Sequence, residues 1–331
     1  MRNLIEITNL NKIYKIRKRT SEGRFSVLKN FFSTQYNDIN AVSDLSLYIK
    51  KGEIVGYIGT NGAGKSTTIK MMTGILNPTS GSIRVNGMDP FKDRSKYVKD
   101  IGVIFGQKSQ LFWDIPVIES LKLLKKIYDV PQKDFDERLQ YFSDALKLDE
   151  ILNQSVRQLS LGQKMRAEFA AAFLHNPKVV FLDEPTIGLD VNIKYQIRKF
   201  VKKMNMKFDT TIILTTHDLQ DIEYLCHRVV IINKGTKMFD GPLRDVYSLF
   251  DSKKTVIVTH DERKPIKLGN EFFNLVNIEQ TNGNSTSKLT FLNREVETAK
   301  LINSLLENNE INDLTVKNST IEEIIRSIYV R

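Results

Sequence analysis

The sequence predicts an α/β fold: a core sheet with flanking helices and an inserted helical subdomain, followed by a small α+β domain. Three observations support this class. A strand at 53–58 leads through a glycine-rich loop into a helix at 66–73, an order typical of phosphate-binding loops. A strand, a helix and a second strand recur between 178 and 215. The segment between them, about 108–175, is rich in Leu, Lys and Asp and is predicted to be mostly helical.

Composition limits the class of protein. The chain has 331 residues, 41% of them hydrophobic, and a single cysteine, Cys226. No stretch approaches the roughly 20 apolar residues that cross a bilayer, and the N-terminus lacks a signal-peptide core. A cysteine without a partner excludes an internal disulfide framework. We therefore expect a globular protein that stays in the cytosol.

The first predicted strands, 3–10 and 42–49, alternate apolar and polar residues and are separated by an insertion at 15–38. The first thirty residues hold eight basic side chains against two acidic ones. Such a cluster could face anionic lipid headgroups or nucleic acid, or it could be a solvated loop. Within the insertion, 27–32 could form an amphipathic surface helix that touches a membrane protein or the bilayer, or it could pack on the chain's own sheet.

The glycine-rich loop is a complete phosphate-binding motif of the Walker A type. Its glycines let backbone N–H groups turn inward around phosphate oxygens, and the helix that follows adds its positive dipole end. Lys65 is predicted to hold the β- and γ-phosphates, the Ser66 hydroxyl to bind Mg²⁺, and Thr67 to donate to a further phosphate oxygen. The predicted nucleotide-binding residues are Gly59, Thr60, Asn61, Gly62, Ala63, Gly64, Lys65, Ser66 and Thr67.

Two carboxylates follow the apolar run 179–182, so they emerge at the end of a buried strand. There Asp183 can face Mg²⁺ through water, and Glu184 can orient and deprotonate an attacking water. The alternative is that the pair only caps a neighbouring helix. The following Pro185-Thr186 and the preceding phosphate loop favour the catalytic interpretation.

Between the two motifs lies Leu159-Ser160-Leu161-Gly162-Gln163, in which Ser160 and Gln163 have the spacing of a helix-capping box. Together the three motifs resemble the ATP-binding cassette (ABC) family, and the resemblance covers nearly all of residues 1–245. It implies that Ser160, Gly162 and Gln163 meet ATP bound by the opposite protomer. Leu161 departs from the family pattern, which has glycine there. Because the backbone contact in the family comes from the second glycine, here Gly162, we expect the site to be competent.

The resemblance assigns four further residues. Tyr14 resembles the aromatic residue on which adenine stacks, although it could be an ordinary half-buried tyrosine. Gln107 resembles the glutamine that contacts Mg²⁺ or water and reports to the membrane subunit, with Gln110 as a local competitor. Asp190 resembles the D-loop residue at the dimer interface. His217 resembles the histidine that contacts the γ-phosphate.

The same resemblance implies the partners. The loop with Phe112 and Trp113 corresponds to the groove that receives a cytoplasmic helix of the membrane subunit, or its aromatic rings pack the helical subdomain. Overall the chain resembles bacterial exporter cassettes with separate permease subunits. We expect a homodimer, with a heterodimer possible, at the cytoplasmic face of the membrane. The rival interpretations are a soluble ABC ATPase that acts on ribosomes or nucleic acid, and a regulator that does not hydrolyse ATP.

The predicted cassette spans 1–248, and residues 249–331 form a second, small domain without a chemical motif. A strand is predicted at 255–259. Strands at 273–280 and 288–292 flank Asn282-Gly283, a hairpin turn signal. A capping box at 319–322 predicts a final helix.

Overall fold

The computed structural model describes residues 3–17, 36–106, 108–249, 253–261, 264–281, 285–318 and 323. These residues divide into two compact units, Met1–Gly241 and Pro242–Arg331. The division lies slightly before the predicted boundary at 248, because the short helix after Pro242 belongs to the second unit. No helix within the described ranges is both long and apolar enough to span a bilayer.

The first unit begins with a three-stranded antiparallel sheet in the order β2-β1-β4. Apolar side chains on one face of each strand, such as Ile5, Ile7 and Leu47, are fully or almost fully buried, as the alternating pattern predicts. The strands are β1 (Asn3–Arg17), β2 (Tyr36–Lys50) and β4 (Ser80–Val85).

Strands β1 and β2 extend into the predicted insertion, 15–38, where no strand was expected. Strand pairing continues to Arg17 and Tyr36, so both ends of the insertion are strand. Tyr14 lies opposite Ile39 and Lys15 opposite Asp38. An apolar pair and an oppositely charged pair both favour a continued ladder. The predicted helix at 27–32 lies outside the described residues.

A six-stranded sheet in the order β5-β6-β7-β3-β8-β9 forms the centre of the unit. The pairs β5–β6, β6–β7, β7–β3 and β3–β8 are parallel, and four of these strands are apolar and almost completely buried, as parallel strands covered on both faces are. The strands are β3 (Ile54–Gly59), β5 (Ile101–Phe105), β6 (Val179–Asp183), β7 (Thr211–Thr215), β8 (Arg228–Asn233) and β9 (Thr236–Pro242).

Helices cover this sheet and form the predicted helical segment. One core joins both sheets through α1, whose Ile69 and Met72 are fully buried between them. Phe200 forms edge-on contacts with Phe142, Phe169 and Phe173 from two other helices, with ring centroids 5.4–6.2 Å away. The helices are α1 (Lys65–Met72), α2 (Arg94–Tyr97), α3 (Val117–Ile127), α4 (Gln132–Leu146), α5 (Leu161–Phe173), α6 (Val191–Phe208) and α7 (Leu219–Leu225).

The second unit is an antiparallel sheet in the order β11-β12-β10-β13 with one long helix. Its core contains Val258, Leu289, Leu301 and Leu305, all fully buried. The elements are α8 (Leu243–Leu249), β10 (Lys253–His260), β11 (Val276–Thr281), β12 (Thr286–Leu292), α9 (Thr298–Asn308) and β13 (Ile311–Asn318).

One sequence prediction for this unit changes, and one strand was missed. The strand predicted from Phe273 begins at Val276, because a 3₁₀ turn at Asn270–Phe272 buries Phe272 in the core. Strand β13 was not predicted. The Asn282-Gly283 turn and the capping box at 319–322 lie outside the described residues.

Candidate nucleotide-binding and hydrolysis site

Three of the predicted site segments begin at one edge of the central sheet. Strand β7 lies between β6 and β3, and all three are parallel. Their carboxyl ends therefore meet, and ligands bind outside the carboxyl ends of strands in sheets of this kind. The phosphate loop follows β3, the two carboxylates follow β6, and His217 follows β7. The fold alone brings these residues together from distant parts of the sequence.

The phosphate loop depends on glycine at one position above all. Gly64 has a φ of 102°, in the left-handed region. A Cβ there would lie 2.3 Å from the carbonyl oxygen of Ala41 on β2, so any side chain would push the two segments apart. Directly after this glycine, α1 begins at Lys65, and its first N–H groups have no partner within the helix. This arrangement suits an anion.

The predicted phosphate-binding lysine is almost buried. Lys65 is 7% exposed, and its Nζ donates to the carbonyl oxygens of Gly59 at 2.7 Å and Thr60 at 3.1 Å. Burial lowers the pKa of Lys65, while the negative charges of Glu184 and Asp183 act in the opposite direction. The ammonium group therefore lies in the electric field of the two carboxylates, at the loop that would hold the phosphates.

Asp183 joins two elements of the site. Its Oδ1 accepts a hydrogen bond from Thr215 Oγ1 at 2.6 Å and one from Ser66 Oγ at 3.3 Å. A hydroxyl and a carboxylate oxygen this close are hard oxygen ligands, and Mg²⁺ in nucleotide sites uses one or two protein oxygens besides water and phosphate. Ser66 and Asp183 therefore fit the predicted metal. Among the described residues there is no group of three or more His, Cys, Asp or Glu suited to a metal.

Glu184 has an unusual backbone conformation. Its φ is 54°, which non-glycine residues seldom adopt, and its N–H donates to the Thr215 carbonyl oxygen at 3.0 Å. Its Oε2 accepts from the backbone N–H of His217 at 3.2 Å. The Nε2 of His217 lies 3.2 Å from Oε1 without hydrogen-bond alignment, so Oε1 has no hydrogen-bond partner in the described chain. One oxygen of the predicted base is thus held by a backbone N–H, and the other faces the His217 ring.

Tyr14 lies on the strand pair that contacts the phosphate loop. It is opposite Ile39, two residues along β2 from Ala41, whose carbonyl oxygen faces Gly64. The side chain is 36% exposed, and Lys12 Nζ lies 5.4 Å from its ring centroid. The position beside the loop and the accessible ring agree with the predicted adenine contact.

The predicted capping box of α5 is confirmed. Ser160 Oγ accepts from the backbone N–H of Gln163, and Gln163 Oε1 accepts from the N–H of Ser160. No hydrogen bond or ion pair between described residues links Ser160, Gly162 or Gln163 to the phosphate loop of the same chain. Leu161 is half-exposed, and its Cδ2 lies 3.3 Å from where a Cβ on Gly188 would be. The first turn of α5 therefore lies beside the residues that precede Asp190. Asp190 itself caps α6, because its side chain accepts from the N–H of Ile193.

Three further residues bear on the site: Gln107, Gln110 and Thr215. Gln107 lies outside the described residues, so its predicted role stays a prediction. The other candidate, Gln110, donates from its Nε2 to the Val103 carbonyl oxygen at 2.7 Å. Its side-chain amide is therefore engaged in a hydrogen bond within the protein. Sequence reasoning missed Thr215, although its position at the end of a predicted strand beside the carboxylates was a usable signal.

Comparison with known proteins agrees with this geometry. Residues 42–187 match the family model described as ABC transporter. The chain is 31% identical over 216 residues to the ABC transporter ATP-binding protein NatA of Bacillus subtilis, covering 65% of this chain and 87% of that protein. It is 30% identical over 298 residues to the methionine import ATP-binding protein MetN 2 of Bacillus licheniformis, covering 89% and 81%.

Solved structures agree in fold. The chain matches an ATP-binding subunit of an ABC transporter with a TM-score of 0.62 and 26% identity, covering 75% of this chain and 93% of that one. It also matches a dimeric ATP-binding cassette in a post-hydrolysis state with ADP and Pi, with a TM-score of 0.59 and 25% identity, covering 72% and 99%. These matches confirm the predicted α/β cassette fold. The chain therefore belongs to the ABC transporter family and is an ATP-binding subunit of its ATP-hydrolysing cassette class.

Proposed function

We propose that two copies of this chain close around two ATP molecules, and that hydrolysis reopens them to drive export through separate permease subunits. The main support is the meeting of Asp183 and Glu184 with Ser66 and His217 at one sheet edge. A dimeric post-hydrolysis structure among the structural relatives supports the dimer. All required motifs occur in one chain, so a homodimer is the simplest assembly.

Within one protomer the chain's own groups bind and orient ATP. The N–H groups of the phosphate loop and the Lys65 ammonium neutralise the phosphates, Thr67 adds a hydroxyl donor, and Tyr14 stacks on adenine. Ser66 and Asp183 would hold the metal, with Gln107 as a predicted further ligand. Mg²⁺, when bound, supplies positive charge that stabilises the triphosphate.

Hydrolysis depends on Glu184. Its Oε1 accepts a proton from the attacking water, and the N–H of His217 holds Oε2 in place. The His217 ring is about half-exposed, so it can reach the γ-phosphate. The Thr215 hydroxyl fixes the neighbouring carboxylate of Asp183.

The opposite protomer completes each site. The capped first turn of α5 directs its partly positive end outward, where Ser160, Gly162 and Gln163 can meet the γ-phosphate bound by the partner. Asp190 follows Gly188, whose φ of 74° turns the chain beside Leu161. The two half-sites of one chain are therefore assigned to different ATP molecules, and a second copy completes each site.

The test of this mechanism compares two variants. Glu184→Gln keeps the shape but cannot take the proton, so the hydrolysis rate should fall about 10²–10⁴-fold, the usual contribution of a general base. With ATP and Mg²⁺ it should accumulate as a dimer in light scattering. Lys65→Ala should bind ATP poorly and remain monomeric. Removal of Mg²⁺ with EDTA should stop phosphate release by the wild type. Hydrolysis by Glu184→Gln at the wild-type rate would show that the base lies elsewhere.

The permease contact involves the loop at 112–113. Phe112 and Trp113 are 44% and 58% exposed, which favours a docking role over packing inside the helical subdomain. The double variant Phe112→Ala, Trp113→Ala should lose the permease in pull-downs from detergent extract while its ATP affinity stays at the wild-type value. If the double variant recovers as much permease as the wild type, Phe112 and Trp113 do not dock the permease and only pack the helical subdomain. The same contact would hold the cassette at the cytoplasmic face of the membrane.

Export is the part of this proposal that most needs a direct measurement. It follows from the resemblance of the loops to exporter cassettes, whereas one relative named above is a methionine import protein. Cells in which Glu184→Gln replaces the wild type should accumulate the cargo, detectable by comparing small-molecule content of cells and medium. Depletion of a compound from the variant cells would instead indicate import.

Residues 249–331 are assigned an accessory role.

A further inference from the structure

Glu168 is a buried carboxylate on α5, the helix that begins after the Ser160 cap. The proposed hydrolysis mechanism gives this carboxylate no role. It lies near the middle of α5 and is 2% exposed. Burial raises its pKa, and hydrogen bonds from Ser109, Gln110 and Leu111 and the positive charge of Lys164 oppose that shift. No cation in the described ranges lies within ion-pair distance of it. A buried carboxylate is costly unless its oxygens are hydrogen-bonded.

The partners of Glu168 belong to a single loop. Ser109 Oγ donates to its Oε1, and the backbone N–H of Gln110 donates to its Oε2 at 3.1 Å. The amide of Gln110 also donates to Val103 on β5 at 2.7 Å. The loop is therefore attached to α5 by the Ser109 side chain and the Gln110 backbone N–H, and to the central sheet by the Gln110 side chain.

The same loop continues into the exposed aromatic residues. The N–H of Phe112 donates to Ser120 Oγ at 3.1 Å, and the Trp113 carbonyl oxygen accepts from Arg157 N–H at 3.0 Å. Lys164, one turn before Glu168 on α5, lies with its Nζ 5.4 Å from the Trp113 ring centroid. Helix α5 thus contacts the loop at two points, one buried and one at the surface.

An apolar residue at position 168 would avoid the cost of a buried charge, since buried ionic groups can often be replaced by apolar ones without loss of stability. What an apolar residue could not do is hold Ser109 and Gln110 in a fixed place. We propose that Glu168 is a positioning residue that fixes the loop 109–113 to α5. When the ATP sandwich closes at the first turn of α5, the loop then moves with the helix and carries Phe112 and Trp113 with it. This inference rests on the proposed sandwich.

Trp113 is the only tryptophan of the chain, so its fluorescence reports on this loop directly. The measurement is acrylamide quenching and emission of Trp113 with and without ATP and Mg²⁺, in the Glu184→Gln background, with dimer formation followed by light scattering. The parent should dimerise and change its Trp113 signal. Adding Glu168→Gln or Ser109→Ala should leave the dimer intact and abolish the Trp113 change. Ser109→Ala removes one hydroxyl only, so it serves if the glutamine variant does not fold.

Glu150→Gln is the matched control, because Glu150 is an exposed carboxylate of the same helical region, 3.5 Å from Arg166. It should retain the full Trp113 response. An unchanged response in both loop variants would overturn the inference, as would a parent that dimerises without any Trp113 change. Loss of the dimer together with the response would also overturn it, because Glu168 would then only stabilise the helix. A parent that forms no ATP dimer would contradict the proposed function and the inference with it.

Discussion

At the scale of single residues, the site depends on one hydroxyl that connects the Asp183 carboxylate to the backbone of Glu184. Thr215 is fully buried at the end of β7. Its Oγ1 donates to Asp183 at 2.6 Å and lies 3.2 Å from the N–H of Glu184. The left-handed backbone of Glu184 persists because the surrounding hydrogen bonds hold it there, and strained residues of this kind are common at active sites.

Thr215→Val should therefore lower the ATPase rate by about tenfold or more, since hydrogen bonds to charged groups contribute about 1.5–3 kcal/mol. The measurement is phosphate release at saturating ATP. Thr211→Val is the matched control, because Thr211 is equally buried on the same strand but its hydroxyl accepts from Gly52 at 2.9 Å, at the opposite end. Both variants should lose stability. Equal rates in the two variants would contradict a role for Thr215 in the site.

Leu161 provides a second test at this scale. If Gly162 supplies the backbone contact, Leu161→Gly should leave the ATPase rate near the wild-type value and cost at most about 1 kcal/mol of stability, the usual cost of glycine in a helix. Ser160→Arg should abolish activity, because a long cation at the cap would obstruct the sandwich. A large activation by Leu161→Gly would show that the natural site is impaired.

At the scale of secondary-structure elements, a buried network joins three segments that end at the site. Asp221 on α7 is fully buried and accepts from Arg198 Nε on α6, from Thr186 Oγ1 at 2.5 Å and from Thr216 Oγ1 at 3.1 Å. Thr186 follows the two carboxylates proposed for hydrolysis, and Thr216 precedes His217. The network therefore fixes the ends of two strands relative to α6, which begins at the Asp190 cap.

Asp221→Asn should lower the free energy of unfolding by about 1.5–3 kcal/mol, the usual contribution of hydrogen bonds to a charged group, and Arg198 then keeps only its second carboxylate partner, Asp218, at 3.3 Å. Urea unfolding measures this change. Asp209→Asn is the control: Asp209 pairs with Lys51 at 2.7 Å, but both side chains are more than half-exposed, so the expected loss is below about 1 kcal/mol. Similar losses in both variants would contradict the importance of the network.

The sequence predicted the elements with strong local signals and missed those that depend on pairing. The phosphate loop, the carboxylate pair and the Ser160 cap have fixed spacing, so their identity was clear. The extension of β1 to Arg17 depends on its partner β2, and β13 depends on its pairing with β10. Neither the Asp221 network nor the contact of Glu168 with Ser109 could be predicted, because each joins residues distant in sequence through tertiary packing.

At the scale of the whole molecule, stability should depend on pH through one packed histidine. His175 stacks on Tyr128, with ring centroids 3.9 Å apart, and its Nε2 lies 2.9 Å from the Ile101 carbonyl oxygen. Its Nδ1 is buried and has no hydrogen-bond partner in the described chain. Burial lowers the pKa of His175 from 6.5 to about 4. The hydrogen bond to Ile101 and the charge of Asp100 oppose this shift, and the charge of Arg138 adds to it.

A lowered histidine pKa means that the unfolded chain binds the proton more tightly than the folded one. The stability contributed by neutral His175 is therefore present above pH 6.5 and is lost as the pH falls toward 4. A shift of this size corresponds to about 3 kcal/mol. His175→Phe keeps the ring stack but cannot be protonated, so its free energy of unfolding should fall less steeply between pH 6.5 and 4 than that of the wild type. Trp113 fluorescence in urea, at several pH values, follows unfolding of the same unit. His227→Phe, which removes an exposed histidine, should keep the wild-type slope, and an equally steep slope in His175→Phe would show that His175 is not the group responsible.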